Sequence, residues 1–452
     1  MENEIDFEKI KELLESKSFG EIKKILVDMN PADISQLFEE ISEDECLILF
    51  RLLPKELAAE SFVYFDSDIQ EKLINDFSDK NLREILDELF LDDTVDIIEE
   101  MPANVATRIL NNCTDPAKRR EINEILRYPE DTAGSIMTVE YVRLKKTMTV
   151  KEAFDTIRST GLDKETVYTC YVTDANRHLE GIVSVRTLLL SPYEAKIKDI
   201  METNIIYVTT TEDKEEVAKQ FNKYDLLAIP VVDKETRLVG IVTFDDAIDV
   251  MEEEVSEDFA KMAAITPPED SYFKESVFKH AKNRILWLLI LMLSSTITGL
   301  IITHYEEAFA AFPVLIAFLP MLMDTGGNCG AQSSTMIIRG MALDEIKLKD
   351  FFRALFKEMR IGLLISVALV AVNTLRVFIF NRDQFNIALV LGITLCCTVL
   401  IAKTLGCCLP MLAKLLKLDP AIMASPLITT IVDCCTVLIY FSVAVAVLHI
   451  TV

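Results

Sequence analysis

Histidine is scarce: the 452 residues contain four, His178, His280, His304 and His449, scattered along the chain. No nucleophile–base set and no phosphate-cradling loop can be drawn from them or their surroundings, so the sequence predicts no enzyme. The opening MENEIDFEKIKELL lacks the basic and apolar regions of a cleaved leader, and the front of the chain is expected to stay in the cytosol. A disulfide framework is missing as well. Cys46, Cys113 and Cys170 are isolated, whereas Cys396/Cys397, Cys407/Cys408 and Cys434/Cys435 are adjacent pairs inside apolar runs. Those pairs suit helix packing, with a soft-metal path as the alternative. Positive charge is short in the front: residues before Lys274 hold 31 Lys and Arg against 61 Asp and Glu, those from Lys274 on 15 against 11. So acidic a region argues against a nucleic-acid partner and for accumulating cations, or simply for solubility.

What is present changes along the chain. Residues 5–127 carry helical periodicity in short units such as PADISQLFEEI and NLREILDELF, with Asp, Ser and Pro where helices should start. They predict an all-α helical superhelix of stacked hairpins over 1–130. Residues 136–188 and 200–247 then form an internal repeat in which Met137 matches Met201 and Gly181 matches Gly240. Each unit reads strand, helix, strand, turn, strand, helix.

This double unit resembles a tandem pair of CBS domains, an α/β module over 131–247 with repeats at 131–190 and 197–247. The resemblance implies a regulatory module that binds adenine nucleotides or cations between its repeats. Thr243 and Asp246 fit the Thr-x-x-Asp pattern that the family uses on a ribose, which makes ATP a candidate cofactor; the first repeat has Ser184 and Thr187 and lacks the acid.

Residues 248–274 read as a connecting helix dense in carboxylates. Asp249, Glu252, Glu253 and Glu257 recur at three- or four-residue spacing and share a face, where like charges repel unless a cation or solvent offsets them. Five apolar segments follow, near 285–303, 310–337, 358–380, 386–412 and 421–449, which predict a bundle of five transmembrane helices over 275–452. Lys279, Lys282 and Arg284, the basic residues between the second and third segments, and Lys414 with Lys417 place those ends in the cytoplasm, the amino terminus inside and the carboxyl tail outside.

The second segment contains PMLMDTGGNCGAQSS, where Gly326, Gly327 and Gly330 stand beside Asp324, Asn328 and Gln332. Two readings fit: irregular backbone lining a wet cavity, or close helix packing. Asp433 is the only formal charge of the last segment, and an acid at bilayer depth costs roughly 2.5–3.5 kcal/mol on insertion scales, so it is expected to face a bundle interior or an aqueous path. With Glu358 these groups make an inventory of carboxylates, amides and hydroxyls, which is hard-cation chemistry.

DTGGNCGAQ, LPMLAKLLKLDPA and the Asp-bearing last segment, in this order of domains, resemble the MgtE family of magnesium channels over essentially the whole chain. The resemblance implies a homodimer in the lipid of the plasma membrane, transporting Mg2+, with Asp433 near the two-fold axis and Ser425 and Thr429 at pore-lining positions. It implies that the acidic helix is a plug held shut by cytosolic Mg2+ bridging Asp92, Asp96, Asp246, Glu254, Glu257 and Asp258, with Asp249 on the same acidic run. A sodium- or proton-coupled divalent exchanger using Asp433 and Glu358, and a membrane-tethered nucleotide sensor, are the competing readings.

Overall fold

The structure, a computed structural model, describes residues 7–268, 272–273, 275–309, 313–380, 385–423 and 425–449. The chain divides into two compact units, Met1–Glu252 and Glu253–Val452.

In the first unit ten α-helices, among the described residues, run from α1 (Phe7–Glu15) to α10 (Pro116–Ile125). Their starts are set locally. The Asn30 side chain accepts the Ala32 N–H at 3.1 Å ahead of Pro31, and Asp115 accepts the Ala117 N–H at 2.7 Å ahead of Pro116. Proline loses no needed donor in a first turn, and its fixed φ suits the helix. Helices this short are marginal alone in water, so shared burial must hold them. Ile22, Ile34, Leu37, Leu49, Leu91 and Ile109 lie in one core that continues into Met137 of the first repeat and Val208, Val217, Ile229 and Val242 of the second repeat. Each such side chain contributes about 1.5–3 kcal/mol when taken from water. The helical layers and the second repeat are therefore one body, and α8 (Leu91–Glu100) is fixed against the α/β part.

That part has two three-stranded sheets, β1 (Tyr141–Leu144), β2 (Thr166–Thr173) and β3 (Leu179–Ser184), then β4 (Val208–Thr209), β5 (Ala228–Val232) and β6 (Leu238–Thr243). In each, the first strand pairs parallel with the second, and the second antiparallel with the third. A parallel pair needs a crossover, supplied by α11 (Val150–Thr160) and, after α12 (Val185–Leu190) and α13 (Ile197–Ile200), by α14 (Lys214–Tyr224). α15 (Phe244–Met262) follows β6; its residues to Glu252 belong to the first unit and the rest to the second.

The repeats interlock. Thr138 exchanges two 2.8 Å backbone hydrogen bonds with Ile241 of β6, and Glu202 bridges Ile182 of β3 in the same way. Glycine makes room for both crossings: a Cβ on Gly240 would stand 2.6 Å from Met137 Sδ, and one on Gly181 2.7 Å from Met201 Sδ. The matched methionines and glycines of the sequence repeat thus touch across it.

The second unit contains α16 (Val277–Phe309), the short α17 (Pro313–Ile316), α18 (Leu319–Ala342), α19 (Phe351–Phe380), α20 (Phe385–Leu415) and α21 (Ser425–Leu448). Among the described residues five stretches are long and apolar enough to cross a membrane: Val277–Tyr305, Pro313–Ala342, Leu348–Ile379, Phe385–Leu415 and Pro420–Leu448. The irregular-backbone reading of the glycine-rich stretch does not hold, because α18 runs unbroken through Gly326, Gly327 and Gly330. A continuous helix satisfies its own backbone, as lipid requires. The glycines serve close approach instead. A Cβ on Gly326 would meet Thr398 and Thr436, one on Gly330 would meet Ile428, and one on Gly406 would collide with the Gly330 carbonyl.

Candidate functional site

Two polar regions stand out, one in each unit. In the first unit α8 begins after Phe90, which has no side-chain oxygen to cap a helix. Glu140, just before β1, takes that role: its Oε2 accepts the Leu91 N–H at 3.1 Å. Glu165, which opens the region of β2, is tied to the same place by its N–H, bonded to the Glu140 carbonyl at 2.9 Å. Asp92 and Asp93 fill the first turn of α8, and Asp245 and Asp246 fill the first turn of α15. Acids are favoured at helix amino termini, so each run is locally sensible. Brought together, they crowd.

Asp92, Glu140 and Glu165 each place one carboxylate oxygen within 4.8 Å of the others. Among the described residues this is the one group of His, Cys, Asp or Glu side chains able to share an ion, and no cysteine pair forms another. Asp92 is 7% exposed. Burial first, then the charges of Glu165, Asp246, Asp93 and Glu140, hold its carboxyl well above the usual range. Burial and the charges of Asp93 and Asp245 push Glu165 to about 8. Burial also lifts Asp246 to about 7, despite hydrogen bonds from Thr243, and Asp93 to about 6 with Asp245 as the main charged neighbour. Burial, then the charges of Asp246 and Asp93, also raise Asp96, one turn on, to about 8, although the residue as a whole is exposed. Among the described residues none of Asp92, Glu140, Glu165 and Asp246 is held in an ion pair, and Glu165 Oε2 is buried without a hydrogen-bond partner. An all-oxygen, cation-poor pocket of this kind fits a hard divalent ion.

The structure thus brings Asp92, Asp96 and Asp246 together. Thr243 and Asp246 are bonded to each other: the Thr243 N–H and hydroxyl donate to Asp246 Oδ2 at 3.3 and 2.5 Å, capping α15. Ser184 and Thr187 pair likewise, with 2.9 Å between their hydroxyls. Asp249 lies on the exposed side of α15, one turn past Asp246. Glu254, Glu257 and Asp258 follow on the turns of α15 that belong to the second unit. There Glu257 Oε1 is 2.5 Å from Lys261 Nζ.

In the second unit Asp433 sits partly buried on α21, with Asp324 of α18 as its like-charged neighbour. Thr429, one turn earlier, donates its hydroxyl to the Pro426 carbonyl at 2.9 Å, and its methyl lies where Gly327 leaves space. Ser425 begins α21, but its side chain lies outside the described residues. Asp324, Asn328, Gln332 and Thr335 line one exposed stripe of α18. A polar stripe on a membrane helix faces protein or water, not lipid. Glu358 and Lys403 are 8% and 4% exposed. The Ser333 hydroxyl donates to Glu358 Oε2 at 2.6 Å, and Lys403 Nζ stands 3.6 Å from the same oxygen.

Sequence reasoning missed Glu140, Glu165, Asp93 and Asp245. The last two had a signal, the doubled acids in LDDTVD and FDDAID. Glu140 and Glu165 had none, because each stands 25 or more residues from the other members of the pocket and only the fold joins them.

A helical unit and paired α/β repeats, followed by five membrane-length helices with carboxylates among them, define a multi-pass membrane protein whose polar groups suit a divalent cation. Family models agree: "Divalent cation transporter" matches residues 319–443, the MgtE intracellular N domain 29–131, and CBS domains 133–193 and 197–253. The magnesium transporter MgtE of Thermus thermophilus is 36% identical over 440 residues, 96% of this chain and 97% of that one. That of Bacillus subtilis is 31% identical over 437 residues, covering 97% and 96%. The chain belongs to the MgtE family of magnesium transporters. Among solved structures, the cytosolic domain of the Mg2+ channel MgtE in complex with ATP is similar at 36% identity and a TM-score of 0.51, over 53% of this chain and 98% of that one. The soluble part of a magnesium transporter is similar at 29% identity and 0.51, over 55% and 97%.

Proposed function

We propose that the protein is a homodimeric, magnesium-selective channel of the plasma membrane that imports Mg2+ and closes when cytosolic Mg2+ fills its carboxylate sites. In this reading residues 1–130 and 131–247 form the sensor, 248–274 the plug and 275–452 the pore, with the amino terminus inside and the carboxyl tail outside. The observation that carries it is the convergence of Asp92, Glu140 and Glu165, beside Asp246, where among the described residues none of the four is held in an ion pair and Lys118 and Lys164 act on Glu140 only from a distance. Burial first and mutual repulsion second raise these carboxyl pKa values, and a bound divalent ion reverses the sign of the repulsion. A ligand shifts a closed–open balance only by preferring one state. Several sites of this kind, with Asp96, Asp249, Glu254, Glu257 and Asp258 as further ligands, favour the compact closed form together.

In the pore, Mg2+ keeps several of its waters. Asp433 from two copies, with Thr429 and Ser425, supplies acceptors to the hydrated ion, and Asp324 extends the polar wall. ATP binds between the repeats when Thr243 and Asp246 exchange their mutual bond for a ribose. The coupled-exchanger reading needs a free second carboxylate in Glu358, and this one is held by Ser333 and Lys403. Current recorded from purified protein in bilayers, with Mg2+ varied on the side of residues 1–252, tests the proposal. Passive Mg2+ current that falls as this Mg2+ rises is expected; flux that requires an imposed sodium or proton gradient would overturn it.

A further inference from the structure

A cavity of about 1240 Å³ opens in the second unit between α18 and α19, and its charge is wrong for a magnesium path. Arg339, Arg353, Lys357 and Arg360 stand around its mouth. Its carboxylates do not balance them. Glu358 belongs to the pair with Lys403, which leaves Glu345 and Asp350 against four cations. Arg339, Arg353 and Lys357 have exposed side chains and, among the described residues, make no ion pair. Fixed cations this close together repel Mg2+ and attract an anion.

The interior differs from the mouth. Ile361 and Ile365 of α19 line the deeper part together with Asn328, Gln332 and Thr335 of α18. From Arg353 to Ile365 the rise along α19 is about 18 Å, at 1.5 Å per residue. The cavity is therefore cationic at the end of the span and, within it, apolar along α19 and uncharged along α18. A free anion would satisfy the mouth and leave the isoleucines facing solvent, and an uncharged lipid would do the reverse.

We propose that this cavity binds an anionic phospholipid, its phosphate among Arg339, Arg353 and Lys357 and one acyl chain along Ile361 and Ile365. Basic pockets between membrane helices bind acidic lipid headgroups in this way, each Lys or Arg near the surface contributing about 1 kcal/mol. The proposal rests on the membrane reading of this unit and is independent of gating by Mg2+. The Glu358–Lys403 pair gives the cavity a neutral floor, so the charges at the mouth set its preference.

The test reconstitutes the full chain in phosphatidylcholine with and without phosphatidylglycerol, extracts it in detergent and weighs retained lipid by native mass spectrometry. Preferential retention of phosphatidylglycerol is expected, and Arg353→Gln with Lys357→Gln should weaken it roughly thirtyfold. Lys357→Arg should keep it, which separates charge from local structure. Excess inorganic phosphate should not displace the lipid. Equal retention of both lipids in the wild-type protein would overturn the proposal. Displacement by inorganic phosphate would do so too, by indicating a free-anion site, and so would disulfide cross-linking of Ile361→Cys between copies, by placing a second chain in the cavity.

Discussion

Lys261 Nζ lies 2.7 Å from Asp419 Oδ2, while the other oxygen of Asp419 accepts the Ala421 N–H at 2.8 Å. One ammonium therefore ties the last turn of α15 to the short turn Pro420–Met423 that leads into α21, and it also neutralises Glu257. The pair is partly exposed, so it contributes up to about 1 kcal/mol. Lys261→Met keeps the apolar stem and removes the charge. Hydrogen exchange in residues 253–262 should then speed up by as much as about fivefold, with partial recovery in millimolar Mg2+. Unchanged exchange would mean that the bridge does not restrain this segment.

Asp433→Asn deletes a charge at nearly constant volume on a helix that remains packed against α18. Most Mg2+ permeation should disappear while dimer and fold persist, as read by flux into liposomes alongside size-exclusion chromatography. Selective current near the wild-type level would remove Asp433 from the pore.

In the carboxylate pocket, Glu165→Gln and Asp92→Asn together remove two of the three negative charges that converge. They also relieve repulsion, so the metal-free protein should become more resistant to heat. Closure should need more Mg2+, on the order of tenfold, equivalent to about 1.4 kcal/mol. Closure at the wild-type concentration would show that Glu165 is no ligand.

Acidity should act on the same pocket in two opposite ways. Glu165 and Asp246 are lifted to about 8 and about 7 by burial and crowding. A carboxyl raised on folding holds more protons in the folded state, so without metal the stability of α8 and its surroundings should fall as pH rises from about 4 to about 8. Metal needs the ionised form, so Mg2+ affinity should rise over the same window. Amide exchange in α8, followed from pH 6 to 8 with and without Mg2+, should show these opposite trends. Parallel trends would contradict the assigned ionisations.

Much of the fold was legible because the chain states it locally. Asn30–Pro31 and Asp115–Pro116 announce helix starts, the Met137/Met201 and Gly181/Gly240 matches announce a repeated unit, and the apolar runs have membrane length. The site was legible only in part. Asp92, Asp96 and Asp246 could be picked by resemblance, but Glu140 caps a helix 49 residues earlier in the chain, a relation that no local spacing encodes. The glycines of α18 misled for a related reason: composition alone cannot separate a broken helix from a closely packed one, and Thr398, Thr436 and Ile428, which decide it, lie on other helices.

The interlocked repeats also bear on how the protein is made. Met137 and Thr138 find their partners in Gly240 and Ile241, about a hundred residues later in the chain. At about 5–20 residues per second, a ribosome takes roughly 5–20 s to deliver them. Throughout that interval the segment around Met137 has no strand to join, and a thioether destined for a glycine stays open to solvent. The helical layers share their core with the same late-arriving repeat, so they also wait for it. This protein should therefore depend on holdase chaperones during synthesis more than helices of this length would suggest, and stalled chains ending before Gly240 should be the ones that aggregate.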